Sequence, residues 1–582
     1  MIKPNLRGRK ATALATEDTE NTEDGYGYGE GYATATATAT DLRISRGHRG
    51  NPRRDIRASS WGLANDGELP YDSGMTDKHP QPDPKPRLKT YRKTKWFYGI
   101  LLTYYIVTIS AGAWWWSYSH KLYNEAVDPV IARGEPLAWS DFASDSIPDN
   151  ENAAVLYEQV GDCPMVKDSP QLYLQEFSHV RDDWISSCRE MVAEFVSKPE
   201  IRRKYPKEVR KVIELSRGAL ALCRKARLLG KADWKISPDN EDSGSYTLLI
   251  PGRGSSVARL LCLAAIDAHQ RGRDDAAVEY LRDIIAMGDA MSTIPSDMAV
   301  LQSSYLYSSV KNPLEQILPG LRIGQAPGNV RTENLRGLIA ELLDTSKCSQ
   351  GVALAMMGER CTSYEAGQIA ISMGEIGGLL SLSRIGDLFV TFRSDDIVRR
   401  SQDFCLAPVW RIDSARAMIR WNAFVAASDA PAWPEFKRRA MHTDHDCDDQ
   451  YFPRMLACYR MSTVGSYHYY AAMADRRMSA TAIAVGMYQT HTGHRPGSLA
   501  DLVPDYLSGV PFDPMAEPKT PIRYVSEQHV PRIYSIGWDG QDDGGDLSEF
   551  RGESDVRKDT FFFLDGRPSR PEEAGDDDDG DE

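Results

Sequence analysis

Several absences narrow what this 582-residue chain can be. No cysteine occurs before Cys163, and no two cysteines stand in a C-x-x-C pair. That excludes a thioredoxin-type redox site and leaves a zinc knuckle without support. Asp, Glu, Lys, Arg and His are all missing from Trp96 to Ser119. Nucleophile and phosphate motifs are poor as well. No G-x-S-x-G stands with plausible partners. The glycine-rich Pro251-Gly252-Arg253-Gly254-Ser255-Ser256 lacks a P-loop lysine, and Gly374-Glu375-Ile376-Gly377-Gly378 is generic. Net basic charge is absent too. A formal charge of −14 argues against a global nucleic-acid binder, so no nucleic-acid partner is expected.

What is present begins with that uncharged stretch. At ~1.5 Å per residue, a helix from Trp96 to Ser119 spans ~36 Å, more than the ~30 Å hydrocarbon core of a bilayer. Lys85, Arg87, Lys89, Arg92, Lys93 and Lys95 precede it, whereas His120, Lys121, Glu125 and Asp128 follow. The basic flank predicts a cytoplasmic N-terminus and an extracytoplasmic remainder, with Trp114, Trp115 and Trp116 in the outer interfacial belt. A buried core helix would need a polar face, and none is visible. A cleaved signal sequence ending at Ala111-Gly112-Ala113 competes. The tryptophan run behind that site and the 95 residues before Trp96 favour an uncleaved anchor of the inner membrane, with the lipid bilayer as its first partner.

Residues 1–95 read as a disordered cytoplasmic tail. Gly25-Tyr26-Gly27-Tyr28 and the alternating Ala and Thr up to Thr40 cannot bury enough apolar surface to offset their ordering entropy. Residues 120–461 carry a helical signal. A short helix opens at Asn152-Ala153-Ala154, helical spacing runs from Lys207 to Leu229, and a hairpin joins Val257–Gln270 to Asp274–Met291 around Arg271-Gly272-Arg273. That hairpin has no second copy at a 34-residue period, so no solenoid is expected. Further helices are expected at Arg322–Leu343 and Gly367–Val390. The nine cysteines all lie beyond the anchor, and Cys348–Cys361 and Cys447–Cys458 are the nearest pairs for disulfides in an oxidising compartment. Cys223 and Cys262 read equally well as small buried thiols.

From Ser462 to Thr492 a long helix leads to Gly493 and Pro496, which stop it. Ser498 then caps a short helix to Leu502, and strands follow at Pro521–Val525, Arg532–Ile536 and Thr560–Leu564. Within Tyr534-Ser535-Ile536-Gly537-Trp538-Asp539-Gly540-Gln541-Asp542-Asp543-Gly544-Gly545-Asp546, four carboxylates crowd into eight residues. Asp539, Asp542, Asp543 and Asp546 are hard oxygen donors on a glycine-rich loop, the chemistry of Ca²⁺, which takes roughly six to eight of them. An EF-hand is disfavoured, because its twelfth position falls on Phe550 rather than Glu and a helix-loop-helix context is missing. A solvated acidic turn without metal is the competing reading.

The order helix, His491-Thr492-Gly493-His494-Arg495-Pro496, Phe512-Asp513-Pro514, Tyr-Ser-x-Gly strand and Asp/Gly loop resembles the C-terminal half of the type II secretion major pseudopilins. Membrane-anchored proteins of Planctomycete-type genomes carry the same pattern. The resemblance implies an α+β module over residues 462–566, outside the cytoplasm, with calcium on the Asp539–Asp546 loop, Asp513 in a structural role, and no catalytic machinery. It also implies envelope or secretion proteins as partners. It departs from pilins in that the apolar helix has no glutamate near its start and lies far upstream of the module.

The expected architecture is therefore mainly α: one transmembrane helix at 96–119, an irregular α-helical extracytoplasmic domain at 120–461, the small α+β module, and an acidic disordered tail at 567–582. The expected function is a membrane-anchored interaction or scaffold protein. A metal-dependent hydrolase is the alternative. Its ligands would come from His442-Thr443-Asp444-His445-Asp446-Cys447-Asp448-Asp449, centred on His442, His445 and Asp446.

Overall fold

The structure, a computed structural model, describes residues 89–142, 147–180, 185–235, 243–372, 396–440, 453–526, 530–547 and 559–568. The tail up to residue 88, the His442–Asp449 run and the acidic C-terminus after residue 568 lie outside the described residues.

The first helix, α1, runs from Lys89 to Arg133, well past the expected end of the apolar span. Its stretch from Thr94 is long and apolar enough to cross a membrane, and the most apolar window is wholly uncovered by the rest of the chain. That removes the buried-core reading, since a core helix would be covered. Burial starts at Ser119, and Ala126, Val127 and Val130 then pack against Ala415 and Met418.

A run of short helices follows: α2 (Ala153–Gly161), α3 (Pro164–Lys167), α4 (Pro170–Leu172), α5 (Cys188–Ser197), α6 (Pro199–Lys204), α7 (Pro206–Leu215) and α8 (Arg217–Leu229). Asn152 caps α2 by accepting from the Ala154 amide at 3.0 Å. The segment expected from Lys207 to Leu229 divides at Ser216, where ψ opens to −1° two residues before Gly218. The expected hairpin is present as α9 (Ser243–Gln270) and α10 (Asp274–Met291). Leu260, Leu261, Ala264, Ala265 and Ala268 meet Ala277, Leu281, Ile284 and Ile285 in its core. The glycine-rich Pro251–Ser256 run lies inside α9 and so makes no phosphate loop.

Next come α11 (Asp297–Ser309), α12 (Lys311–Ile317), α13 (Thr332–Leu343), α14 (Ser346–Ser372), α15 (Asp396–Ala427), α16 (Trp433–Ala440) and α17 (Pro453–Thr492). The helix expected from Arg322 starts only at Thr332. Before it, the Arg322 amide and Nε both reach Asp274 Oδ2 at 2.9 Å, and Pro327 removes a helical donor. The expected Gly367–Val390 helix is described only to Ser372, as the end of α14.

The expected Cys348–Cys361 bridge is not formed. Both residues sit on α14, where thirteen positions amount to ~20 Å of rise, far beyond the ~7 Å a disulfide tolerates between Cα atoms. Cys163, Cys188, Cys223, Cys262, Cys348 and Cys361 are all free. Burial pushes the Cys188 thiol up to about 11 and that of Cys361 up to about 12, which makes both poor nucleophiles. The Cys447–Cys458 pairing lies outside the described residues.

Helix α17 begins nine positions before Ser462 and ends where Gly493 adopts φ +80° and donates to the Gln489 carbonyl. Its buried face, from Tyr470 and Met473 to Ile483 and Met487, belongs to the same core as α9, α10, α11 and α13. The described side chains of α17 thus share one core with the helices before residue 441. Three strands, β1 (Arg523–Val525), β2 (Arg532–Ser535) and β3 (Thr560–Phe563), form an antiparallel sheet in that order, with Tyr524 opposite Ile533 and Ile533 opposite Phe562. Ser498 and Asp501 make a capping box on a 3₁₀ turn at Leu499–Leu502. Glu315, 1% exposed on α12, accepts from the Phe563 amide at 3.1 Å and from Arg567, fastening the sheet to the helices.

Two buried arginines close the helical body. Arg476 on α17 donates to the carbonyls of Glu341, Leu342 and Asp344, the orphan acceptors at the end of α13, and stacks 4.5 Å over the Tyr307 ring. Arg360 on α14 has a side chain with no exposure. It donates to Glu135 at 2.6 Å, the Pro136 carbonyl at 3.0 Å and Asn422 Oδ1 at 3.2 Å. Asn422 in turn donates to the Ala126 carbonyl of α1. Trp139 adds bonds to Glu365 and Thr362, and Gln368 donates to Tyr123. Helix α1 thus leaves its apolar span and enters the body as one helix, its single proline, Pro129, falling among residues already packed against α15.

Replacing Arg360 by Met leaves Glu135 to Arg133 alone and takes the donor from the Pro136 carbonyl and Asn422 Oδ1, and is expected to cost about 3 kcal/mol in denaturant titration. Hydrogen bonds from Arg133 and then Arg360 hold the Glu135 carboxyl below the usual range, against its partial burial. Because the folded value lies below the unfolded one, about 4.3, this stability is complete above that value and is lost as pH falls through the folded one. Glu135→Gln should therefore lose less stability than the wild type between neutral pH and about pH 3.5.

Candidate functional site

The Asp539–Asp546 loop leaves the end of β2 and is held at both ends. At its start, the Trp538 ring lies 4.5 Å from Tyr467 and 5.3 Å from Trp433, so α16 and α17 fix where the loop emerges. At its end, Arg532 of β2, itself buried, donates from Nε to the Gly545 carbonyl at 2.8 Å and from Nη1 to the Val530 carbonyl at 2.8 Å. Gly545 has φ +67°, and a Cβ there would meet the Tyr534 ring at 2.9 Å, so the sequence needs glycine at this turn.

Asp513 is the anchor beneath. Its side chain is fully buried and accepts from the Met515 amide at 2.9 Å, the Ser535 hydroxyl at 2.6 Å, the Ile536 amide at 3.1 Å and Arg523 at 2.8 Å. Every partner is an internal group, which is a structural role. Arg523 then reaches over to Asp542.

The four loop carboxylates do not share one environment. All are exposed. Asp539 accepts from the Gln541 amide at 3.0 Å, an Asx turn. Asp542 is held by Arg523, the Gly544 amide at 3.0 Å and the Tyr534 hydroxyl at 3.3 Å, and its carboxyl lies below the usual range through those bonds despite partial burial. Arg523 thus supplies Asp542 with a positive charge from within the chain. Asp543 and Asp546 complete the turn, the Asp546 amide donating to the Asp543 carbonyl.

Asp559, just before β3, is the member that sequence reasoning missed. It is 5% exposed, and its Oδ2 accepts from the Gly545 amide at 2.9 Å. Its Oδ1 is shielded from solvent and has no hydrogen-bond partner among the described residues. Burial, together with the charges of Asp542 and Asp543, pushes its carboxyl up to about 6, although loop amides pull the other way. An orphaned carboxylate oxygen under an acidic loop is a position that a hard cation fits. Among the described residues, no three carboxylate, imidazole or thiol groups are gathered closely enough to hold a metal as the chain stands. The second expected cluster, His442 to Asp449, lies outside the described residues.

A groove of about 530 Å³ opens elsewhere, between α2, α8, α10, α13 and α14. Tyr157 and Ile285 line it together with two ion pairs, Arg282 with Glu341 and Lys347 with Asp289. No protein-family model, no curated protein and no solved structure matches this chain.

Asp513→Ala would leave the Met515 and Ile536 amides without their acceptor and take Asp513 from Arg523, which keeps only Asp542. It should lower stability by about 3 kcal/mol and release Trp538 fluorescence toward that of an exposed indole, whereas Asp539→Ala should change neither.

Proposed function

We propose that this chain is a single-pass, membrane-anchored scaffold whose helical body and terminal sheet stand outside the cytoplasm and hold a protein partner. The observation that carries this reading is the unbroken passage of α1 from an uncovered apolar span into a body clamped by Arg360. A joint that stiff suits a protein that presents a surface at a fixed height and angle above a bilayer. The basic flank before Trp96 supports the orientation. The ion-paired groove beside Tyr157 supports partner binding, because paired charges at a rim can be re-paired by a partner's charges without burying new ones.

A calcium ion on the terminal loop fits the same reading. Asp559 would anchor it from below, with Asp543 and Asp546 from the loop, while Asp542 stays with Arg523. Such an ion would supply positive charge beside Asp559, whose Oδ1 accepts no hydrogen bond among the described residues. The link to secretion or envelope assembly is proposed on the Tyr534–Asp546 pattern and the resemblance it carries.

Two measurements bear on this. Protease added to intact spheroplasts should digest the body while leaving a protected fragment that contains α1 and the residues before it; protection of the body would reverse the topology. Calcium should raise the melting temperature of the wild type and leave that of Asp559→Asn unmoved. An equal rise in both would remove Asp559 from the site.

A further inference from the structure

We propose that Arg411 and Trp116 form a binding site for the phosphodiester of a membrane phospholipid, at the edge of the body where α1 leaves it. This rests on the membrane-anchored reading above and adds a specific ligand to it.

Burial along α1 locates that edge. Trp114 is 64% exposed, whereas Ser119 is wholly buried, so the body's lower surface crosses the helix between them. Hydrocarbon ~30 Å thick takes about 20 residues of helix. Counted from Trp96, it ends near Trp115, which puts Trp114, Trp115 and Trp116 at headgroup depth. Trp114 and Tyr118 stack there, with ring centres 5.6 Å apart. Aromatic rings with polar edges favour this layer.

Arg411, on α15, reaches the same level. Its guanidinium carbon stands 4.3 Å over the Trp116 ring. Its other neighbours are the phenol of Tyr123, which is engaged by Gln368, and the His120 ring, which packs 5.5 Å from Trp116. Among the described residues Arg411 has no carboxylate partner, and its Nη1 is closed off from solvent with no hydrogen-bond acceptor. Arg360 and Arg476, buried in the same body, each donate to oxygen acceptors, although Arg360 Nε too is left without one; what sets Arg411 apart is its level, beside the tryptophans. A phosphodiester offers two oxygens that match the planar fork, and the ring face behind it holds the cation in place. The bilayer supplies that group at this depth, so a lipid headgroup, rather than dissolved phosphate, is the ligand.

The test uses full-length protein reconstituted in nanodiscs of phosphatidylglycerol, then exchanged into glycolipid that carries no phosphate, with retained phospholipid counted by native mass spectrometry. Wild type should retain phosphatidylglycerol about tenfold better than Arg411→Gln, with Arg411→Lys between them. Inorganic phosphate should not displace the lipid. Equal retention by wild type and Arg411→Gln overturns the site, and so does displacement by inorganic phosphate. Should Arg411→Gln melt early, the comparison of wild type with Arg411→Lys decides on the same terms. Alkaline carbonate extraction is run in parallel. A protein released by carbonate refutes the anchor itself, which is a different failure from equal lipid retention by an inserted protein.

Discussion

The Arg360 guanidinium is the point on which the arrangement depends. It has no solvent exposure, and it draws together the end of α1, the loop at Glu135 and Pro136, and Asn422 of α15. A charge buried this completely is tolerated only while its acceptors stay in place. The three segments are therefore not free to move separately. An apolar helix standing uncovered would otherwise be a liability for any protein in water. Joined to the body by a buried charge that three oxygen acceptors hold, it is fixed at its base. The placement of Arg411 beside Trp116 depends on that junction.

Much of the fold could be read locally. The α9–α10 hairpin shows helical spacing of apolar residues, and both faces found their expected partners. The three strands lie close to where alternation and turn residues put them, and the Ser498 cap and the Gly493 stop act within one helical turn of themselves. Those signals are short-range, so one sequence contains them. The end of α1 was harder to see. Apolar composition stops at Ser119, but the helix continues on residues that face α15, and only that partner makes their burial worthwhile.

What could not be read is what depends on distant pairs. Arg360 and Glu135 are 225 residues apart, and Arg476 meets the Asp344 carbonyl across 132. Nothing in the composition around either arginine marks it as buried. Asp559 was missed for the same reason. It belongs to the loop's neighbourhood through the turn back into β3, not through sequence adjacency. The reverse error occurred with Cys348 and Cys361, where closeness in sequence suggested pairing and the shared helix holds them apart. The crowding of Asp539 to Asp546 was legible, but its internal division was not. Arg523 binds Asp542, and Asp559 accepts from the Gly545 amide beneath the loop.

The central claim is mechanical: the spanning helix and the body are one piece. Pulsed electron-spin resonance between labels introduced at Tyr104 on the span and Ile419 on α15, in nanodiscs, measures this directly. A single narrow distance distribution in the wild type, broadened when Arg360 is replaced, is the result this account predicts. A broad distribution in the wild type, unchanged by that replacement, would contradict it.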